Sequence, residues 1–113
     1  VPLIANGDIF KYEDIAKVKE ISGCSSVMVA RGALRNLSVF SPKDVTRDVV
    51  CKQIVRLCKK TKNPFGFTKY TLVRAYQLDS KCPLYKHLLK AKTFDDLLEV
   101  YGDTPDVAID CEL

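Results

Sequence analysis

Two short apolar segments, with no third to join them, constrain this chain most. Residues 1–6, Val1-Pro-Leu-Ile-Ala-Asn6, run apolar until Asn6-Gly7-Asp8 stops them, and Ser25-Ser-Val-Met-Val-Ala30 runs apolar until Arg31-Gly32. Strands that are apolar on both faces belong to parallel sheets covered by helices. Between them, from about Lys11 to Ser22, Ile15, Val18 and Ile21 recur at helical spacing, and Gly23 follows as the C-terminal stop. Strand, helix, strand makes one βαβ unit, which requires a parallel pair and a crossover. An isolated pair of strands is marginal at best. Residues 1–40 are therefore expected to be the end of a larger α/β domain, and the chain, which has no initiating Met, to be cut from something longer.

Beyond Arg31 the pattern turns helical. Ala33 to Phe40 reads as a short helical turn and connector. Ser41-Pro-Lys-Asp44 predicts a helix start, with Ser as N-cap, Pro at the first helical position and an acid three residues after the cap. That helix would turn Val50, Ile54, Leu57 and Cys58 inward and leave Lys52, Arg56, Lys59 and Lys60 elsewhere. Asn63-Pro64 breaks it. A second helix is predicted over roughly Thr68–Leu78, with Leu72, Val73 and Tyr76 facing in. A third opens at Ser80-Lys-Cys-Pro83 and runs through Leu84, Leu88 and Leu89. Thr93-Phe-Asp-Asp96 starts a fourth, which stops at Gly102. The division expected is a strand-bearing part over 1–40, an all-α part over 41–102 and an irregular acidic tail over 103–113.

Composition matters chiefly through charge. With 47% hydrophobic and 28% charged residues the chain is neither disordered nor fibrous. No apolar run approaches the ~18–20 residues that span a bilayer, and no basic segment precedes an apolar core, so neither a membrane span nor a secretory signal is expected. The net charge of +4 is unevenly spread: residues 1–42 carry +1, residues 43–93 carry +10 and residues 94–113 carry −7. A basic middle has the electrostatic footprint of a polyanion binder, although a solvated helical surface explains it equally well. Five cysteines, at 24, 51, 58, 82 and 111, form no C-x-x-C pair. Cys51 and Cys58 lie about 10 Å apart along a helix, too far for a disulfide. Reduced thiols in a cytoplasmic protein without a metal site are the expectation.

The polar and glycine residues gather where the two strands end, at Asn6-Gly7-Asp8 and Ala30-Arg31-Gly32. Ligands bind at the carboxyl ends of parallel strands, and in (β/α)8 barrels the last two strand ends often hold phosphate. Glycine lets a backbone approach an oxyanion closely, and Arg31 would add a fixed cation. Asp8 would repel phosphate, so backbone contacts or helix capping are expected of it. Each glycine taken singly reads equally as an ordinary turn.

Val1-Pro-Leu-Ile-Ala-Asn-Gly-Asp-Ile9, Tyr12-Glu-Asp14 and Gly23-Cys-Ser-Ser-Val-Met-Val-Ala-Arg-Gly-Ala33 together resemble the last two barrel strands of the tRNA-dihydrouridine synthases. Ser38-Val-Phe40 and Thr68-Lys-Tyr70 look most like the eukaryotic branch that acts at position 20 of the tRNA D-loop. The resemblance implies the end of a flavin-binding (β/α)8 TIM barrel followed by an all-α tRNA-binding domain. It implies FMN as cofactor and NADPH as reductant, in a reaction that reduces the C5–C6 double bond of uridine. Asn6, Gly7 and Asp8 would line the FMN phosphate site, and Ala30 and Arg31 would complete it. The general-acid cysteine of the family belongs to an earlier barrel loop, so none of the five cysteines here inherits that role and the segment alone is expected to be inactive.

Lys52, Arg56, Lys59, Lys60, Lys62 and Lys69 are the expected tRNA-phosphate contacts. Among the aromatics interleaved with them, Tyr76 and Tyr85 are expected in the core by their spacing. Phe65, Phe67 and Tyr70 are open to base stacking as well, and His87 reads as exposed and non-catalytic. Two other readings remain at this level: a stand-alone nucleic-acid-binding helical module, or another phosphate-binding barrel with a small substrate.

Overall fold

The two apolar segments pair in parallel, in the register Ile4↔Ser26, Ala5↔Val27 and Asn6↔Met28. This is the sheet of a computed structural model that describes residues 1–106 of the 113. Strand β1 is Ile4–Asn6, helix α1 is Tyr12–Ser22 and strand β2 is Ser26–Met28. Then come α2 (Arg31–Arg35), a 3-10 turn at Leu37–Phe40, α3 (Arg47–Lys60), α4 (Phe65–Tyr76), a 3-10 turn at Gln77–Asp79, α5 (Pro83–Lys90) and α6 (Phe94–Val100). No strand follows β2 among the described residues, so the α/β start gives way to an all-α continuation, as the sequence pattern indicates. The acidic tail is helix-free over 103–106, and its remainder, 107–113, lies outside the described residues.

Local signals account for most boundaries. Asp14 Oδ2 accepts the N–H groups of Phe10 and Lys11 at 3.1 and 3.0 Å, closing the start of α1. Gly23, at φ 70°, ends it in the left-handed conformation that glycine adopts at least cost. Thr93 and Asp96 form a reciprocal capping box on α6: Thr93 Oγ1 accepts Asp96 N–H at 3.1 Å, and Asp96 Oδ2 accepts Thr93 N–H at 3.1 Å. Pro83 occupies the first turn of α5, where its missing N–H leaves no bond unmade.

The start of α3 differs from expectation. The helix begins at Arg47 behind Thr46, not at Ser41. Ser41 Oγ accepts only the Lys43 N–H, in a local turn, while Asn36 Nδ2 and Ser38 Oγ both donate to the Val45 carbonyl at 2.7 and 3.0 Å. Those two bonds hold residue 45 outside the helix. The inward face of α3 is also turned from the expected one. Val49, Cys51, Lys52 and Val55 are buried, whereas Leu57 lies open. Helix α4 starts three residues earlier than expected, at Phe65, because Asn63 Nδ2 reaches Thr68 Oγ1 at 2.8 Å and ties the break directly onto its first turn.

The core sits in the helical part, where Cys51, Val55, Leu72, Tyr76, Leu88, Leu97 and Tyr101 from α3 to the end of α6 pack together. Tyr76 Oη donates to Asp48 Oδ1 at 2.5 Å, and the Arg47 guanidinium lies 4.1 Å above the Tyr76 ring while reaching Asp79 at 2.9 Å. Among the described residues Tyr101 Oη makes no hydrogen bond of good geometry, although Cys51 and Tyr76 lie close enough to act on it electrostatically. The sheet is another matter. Ala5 and Val27 are half-buried, but Leu3, Ile4 and Met28 are exposed, so the strands are not covered on both faces as their composition predicts. Helix α1 packs on both strands yet buries no residue of its own. No helix among the described residues is long and apolar enough to cross a membrane.

Two outcomes follow for stability. A Cβ at Gly32 would sit 2.0 Å from the Ile9 carbonyl oxygen, a backbone atom that must move to admit it. Gly32→Ala is expected to cost about 1–3 kcal/mol, read as a lowered melting temperature. Asp14 and Asp96 are held below the ordinary carboxylate range, mainly by the backbone N–H groups of Phe10 and Lys92 respectively. A folded pKa below the unfolded one means stability that is present at neutral pH and lost as the pH falls below about 4. The Asp14→Asn/Asp96→Asn protein should therefore melt lower at neutral pH and show a shallower loss on acidification.

Candidate functional site

Because β1 and β2 run parallel, their carboxyl ends and the loops that follow lie side by side. Between them is a pocket of about 150 Å³ lined by residues 6–10 and 28–32. It brings together all five residues that the sequence singles out at these turns: Asn6, Gly7, Asp8, Ala30 and Arg31. Gly7 has φ 138° and Asp8 φ 54°, so two successive residues carry positive φ. An added Cβ at Gly7 would meet nothing within 4 Å, so conformation and not crowding calls for glycine there. Gly32 is the opposite case, since any side chain there would force the Ile9–Phe10 backbone to move. Asp8 caps no helix; Asp14 does that work, and Asp8 stays exposed. Arg31 opens α2 with an exposed side chain at the rim.

The basic residues are arranged less uniformly than their sequence spacing suggests. Lys52, expected in water, is 7% exposed. Its Nζ donates to the Thr104 carbonyl at 2.6 Å and pairs with Asp106 at 3.0 Å. A lysine stem is readily buried when its ammonium group finds partners. Arg56 pairs with the same carboxylate at 2.6 Å, and Arg56 first, then Lys52, hold Asp106 below the ordinary carboxylate range. Lys59 pairs with Asp95 at 2.6 Å across an exposed surface, where such bridges contribute little. Lys69 donates to the carbonyls of Leu89 and Ala91 at 2.7 Å each, closing the end of α5. Lys60 and Lys62 are exposed and make no ion pair among the described residues. The roles of Asp95 and Asp106 are not legible in the sequence; the charge asymmetry signals that the acidic end has somewhere to go, but not where.

Tyr76 is buried and Tyr85 half-buried, as their spacing indicates, and His87 is exposed. Phe65 packs edge-on against Phe94 with ring centroids 5.6 Å apart. Phe67 and Tyr70 point into solvent, 69% and 64% exposed. Cys24, Cys51, Cys58 and Cys82 are free thiols, and Cys111 lies outside the described residues. Burial pushes the Cys51 thiol up to about 11, which keeps it protonated and unreactive at neutral pH. Cys24 precedes β2, at the end of the sheet opposite the pocket. No cluster of His, Cys, Asp and Glu suited to a metal ion occurs among the described residues.

Comparison with known proteins bears on this arrangement directly. Residues 1–97 match the family model described as dihydrouridine synthase. A tRNA-dihydrouridine(20) synthase of the NAD(P)+ type from Schizosaccharomyces pombe is 30% identical over 102 residues, covering 89% of this chain and 21% of that protein. A tRNA-dihydrouridine(16) synthase from Cupriavidus necator is 38% identical over 69 residues, 53% of this chain and 21% of that protein. A tRNA-dihydrouridine(20a/20b) synthase from Saccharomyces cerevisiae is 44% identical over 41 residues, 36% of this chain and 11% of that protein. The chain thus spans about a fifth or less of the length of these relatives. The match runs through both strand ends and on into the helical core, and the chain belongs to the dihydrouridine synthase family.

Proposed function

We propose that this chain is the C-terminal part of an FMN-dependent tRNA-dihydrouridine synthase, supplying half of the flavin phosphate site and a basic helical surface for tRNA. The observation that carries the reading is the small pocket between the two parallel strand ends, with Gly32 drawn against Ile9 and positive φ at Gly7 and Asp8. Such a pocket suits a phosphate group, which backbone N–H groups bind without a side chain intervening. Its 150 Å³ suits a phosphate better than a flavin ring, and on this reading the ring contacts and the general-acid cysteine would come from other parts of the barrel. When bound, FMN would carry hydride from NADPH to the uridine C5–C6 bond. The residues of this chain would do the positioning: Asn6, Gly7, Asp8 and Ala30 through the loop backbones, and Arg31 through its charge at the rim. Exposed Leu3, Ile4 and Met28 support a sheet that continues into further strands, and they weigh against a stand-alone module.

Purified intact enzyme should carry the absorbance of a flavin and form dihydrouridine in tRNA; protein purified without flavin and unable to bind any would overturn the proposal. In that enzyme Gly7→Val is expected to lower the flavin-to-protein absorbance ratio, because a β-branched residue disfavours φ 138°. Arg31→Ala should lower it less, since the loop backbones remain.

For tRNA, the surface lysines that stay free matter most. If Lys60 and Lys62 each contact a phosphate, each contributes roughly 0.7–0.9 log units of affinity per log unit of salt. The Lys60→Ala/Lys62→Ala enzyme should bind tRNA more weakly and with a flatter salt dependence, while flavin content stays the same. Unchanged tRNA affinity at two ionic strengths would move the RNA contact elsewhere.

A further inference from the structure

Helix α4 is amphipathic in an unusual way. Leu72, Ala75 and Tyr76 face the core, while Phe67 and Tyr70, three residues apart on the outer face, leave two large aromatic rings 69% and 64% exposed. Arg74 follows one turn after Tyr70 on that face and is exposed as well, its guanidinium donating to Gln77 Oε1 at 2.7 Å. The rings border a shallow, almost wholly apolar cleft of about 470 Å³ whose other walls are Pro64 and Gly66. An added Cβ at Gly66 would meet nothing within 4 Å, so the cleft is open beside the rings. Lys60 and Lys62 stand at the turn immediately before it. Asn63 holds that turn against α4 by its bond to Thr68 and its N–H to the Cys58 carbonyl at 2.9 Å, and Lys62, at φ 57°, makes the bend.

Exposed aromatic rings flanked by cations that pair with no carboxylate among the described residues have a specific complement. Base stacking is tolerant of sequence because every base has a π-face, and lysines beside the stack meet the phosphates on either side. We propose that Phe67 and Tyr70 form a stacking platform for an unpaired base of the RNA substrate, with Lys60, Lys62 and Arg74 on the flanking phosphates. The charge decides for RNA: Lys60, Lys62 and Arg74 beside the cleft form no ion pair among the described residues, and the partner must bring negative charge and flat apolar faces together. This inference rests on the reading of the chain as part of a tRNA-binding enzyme.

The test is the affinity of the intact enzyme for a tRNA transcript at two ionic strengths. The variants are Phe67→Leu, Tyr70→Leu, Tyr70→Phe and Lys60→Ala/Lys62→Ala. Leucine keeps an apolar side chain but removes the ring. Each Leu variant should weaken binding roughly 5- to 100-fold with the salt dependence unchanged. Tyr70→Phe should bind as the unmodified enzyme does, and the lysine pair should flatten the salt dependence. Both aromatic positions are exposed, so unaltered melting temperatures are expected. Leu variants that bind tRNA as tightly as the unmodified enzyme overturn the platform while leaving the tRNA reading intact. An unmodified enzyme that does not bind tRNA overturns both. A protein partner lost on Leu substitution, with tRNA affinity unchanged, would assign the cleft to that partner and likewise overturn the proposal.

Discussion

The absence of a side chain at residue 32 governs how the first third of this protein is put together. Gly32, in the first turn of α2, lies directly against the backbone that leaves β1, where a Cβ would come within 2.0 Å of the Ile9 carbonyl. That approach brings the two strand-end loops together and so creates the pocket. It also buries Ile9, which with Val39 is the buried apolar material of the strand-bearing part. The rest of the core belongs to the helices. A part with so little buried surface depends on its neighbours, and α2 accordingly packs on α4. The pocket, the loop backbone at Gly7 and Asp8, and the docking of the sheet onto the helices thus share one contact.

Electrostatics divides the basic residues of α3 and α4 into two populations. The chain's own carboxylates return to α3, where Asp106 takes Lys52 and Arg56 and Asp95 takes Lys59. Lys69 is engaged by carbonyls at the end of α5. Of these, Lys52 matters most to the fold. Its side chain is buried, and removing its partners would leave its charge uncompensated, a larger penalty than losing an exposed bridge. Lys60 and Lys62, at the turn between the two helices, stay open to solvent beside the exposed rings of Phe67 and Tyr70. The net charge of +10 over residues 43–93 therefore overstates the surface a polyanion would meet, because part of it is already answered from within the chain.

Features whose hydrogen bonds close within a few residues are legible in the sequence. The Gly23 stop, Pro83 at the head of α5 and the Thr93–Asp96 box can all be read there because each is settled by atoms three or four residues apart. Ser41 carries an equally good local signal, and it loses to Asn36 and Ser38, whose side chains reach forward to the Val45 carbonyl. The buried face of α3 departs from its polarity pattern for a related reason. Sorting by polarity puts Lys52 outside, but a lysine has four methylenes to bury, and Thr104 and Asp106, more than fifty positions later, receive its charge.

By itself, the sequence determined the parallel βαβ start, the helical continuation, the strand-end residues that line the pocket and the family to which these segments belong. All of these follow from periodicity, short-range bonding or residue identity in an unbroken segment. Only the tertiary structure decided that Gly32 serves close packing whereas Gly7 serves a positive φ, and that Lys52 and Lys69 hold the fold together while Lys60 and Lys62 stay free. Only it showed that two of the aromatics on α4 remain in water. Each of these depends on which distant group arrives at a given surface, and a linear pattern carries no record of that because contacts between remote positions are settled by how the helices pack.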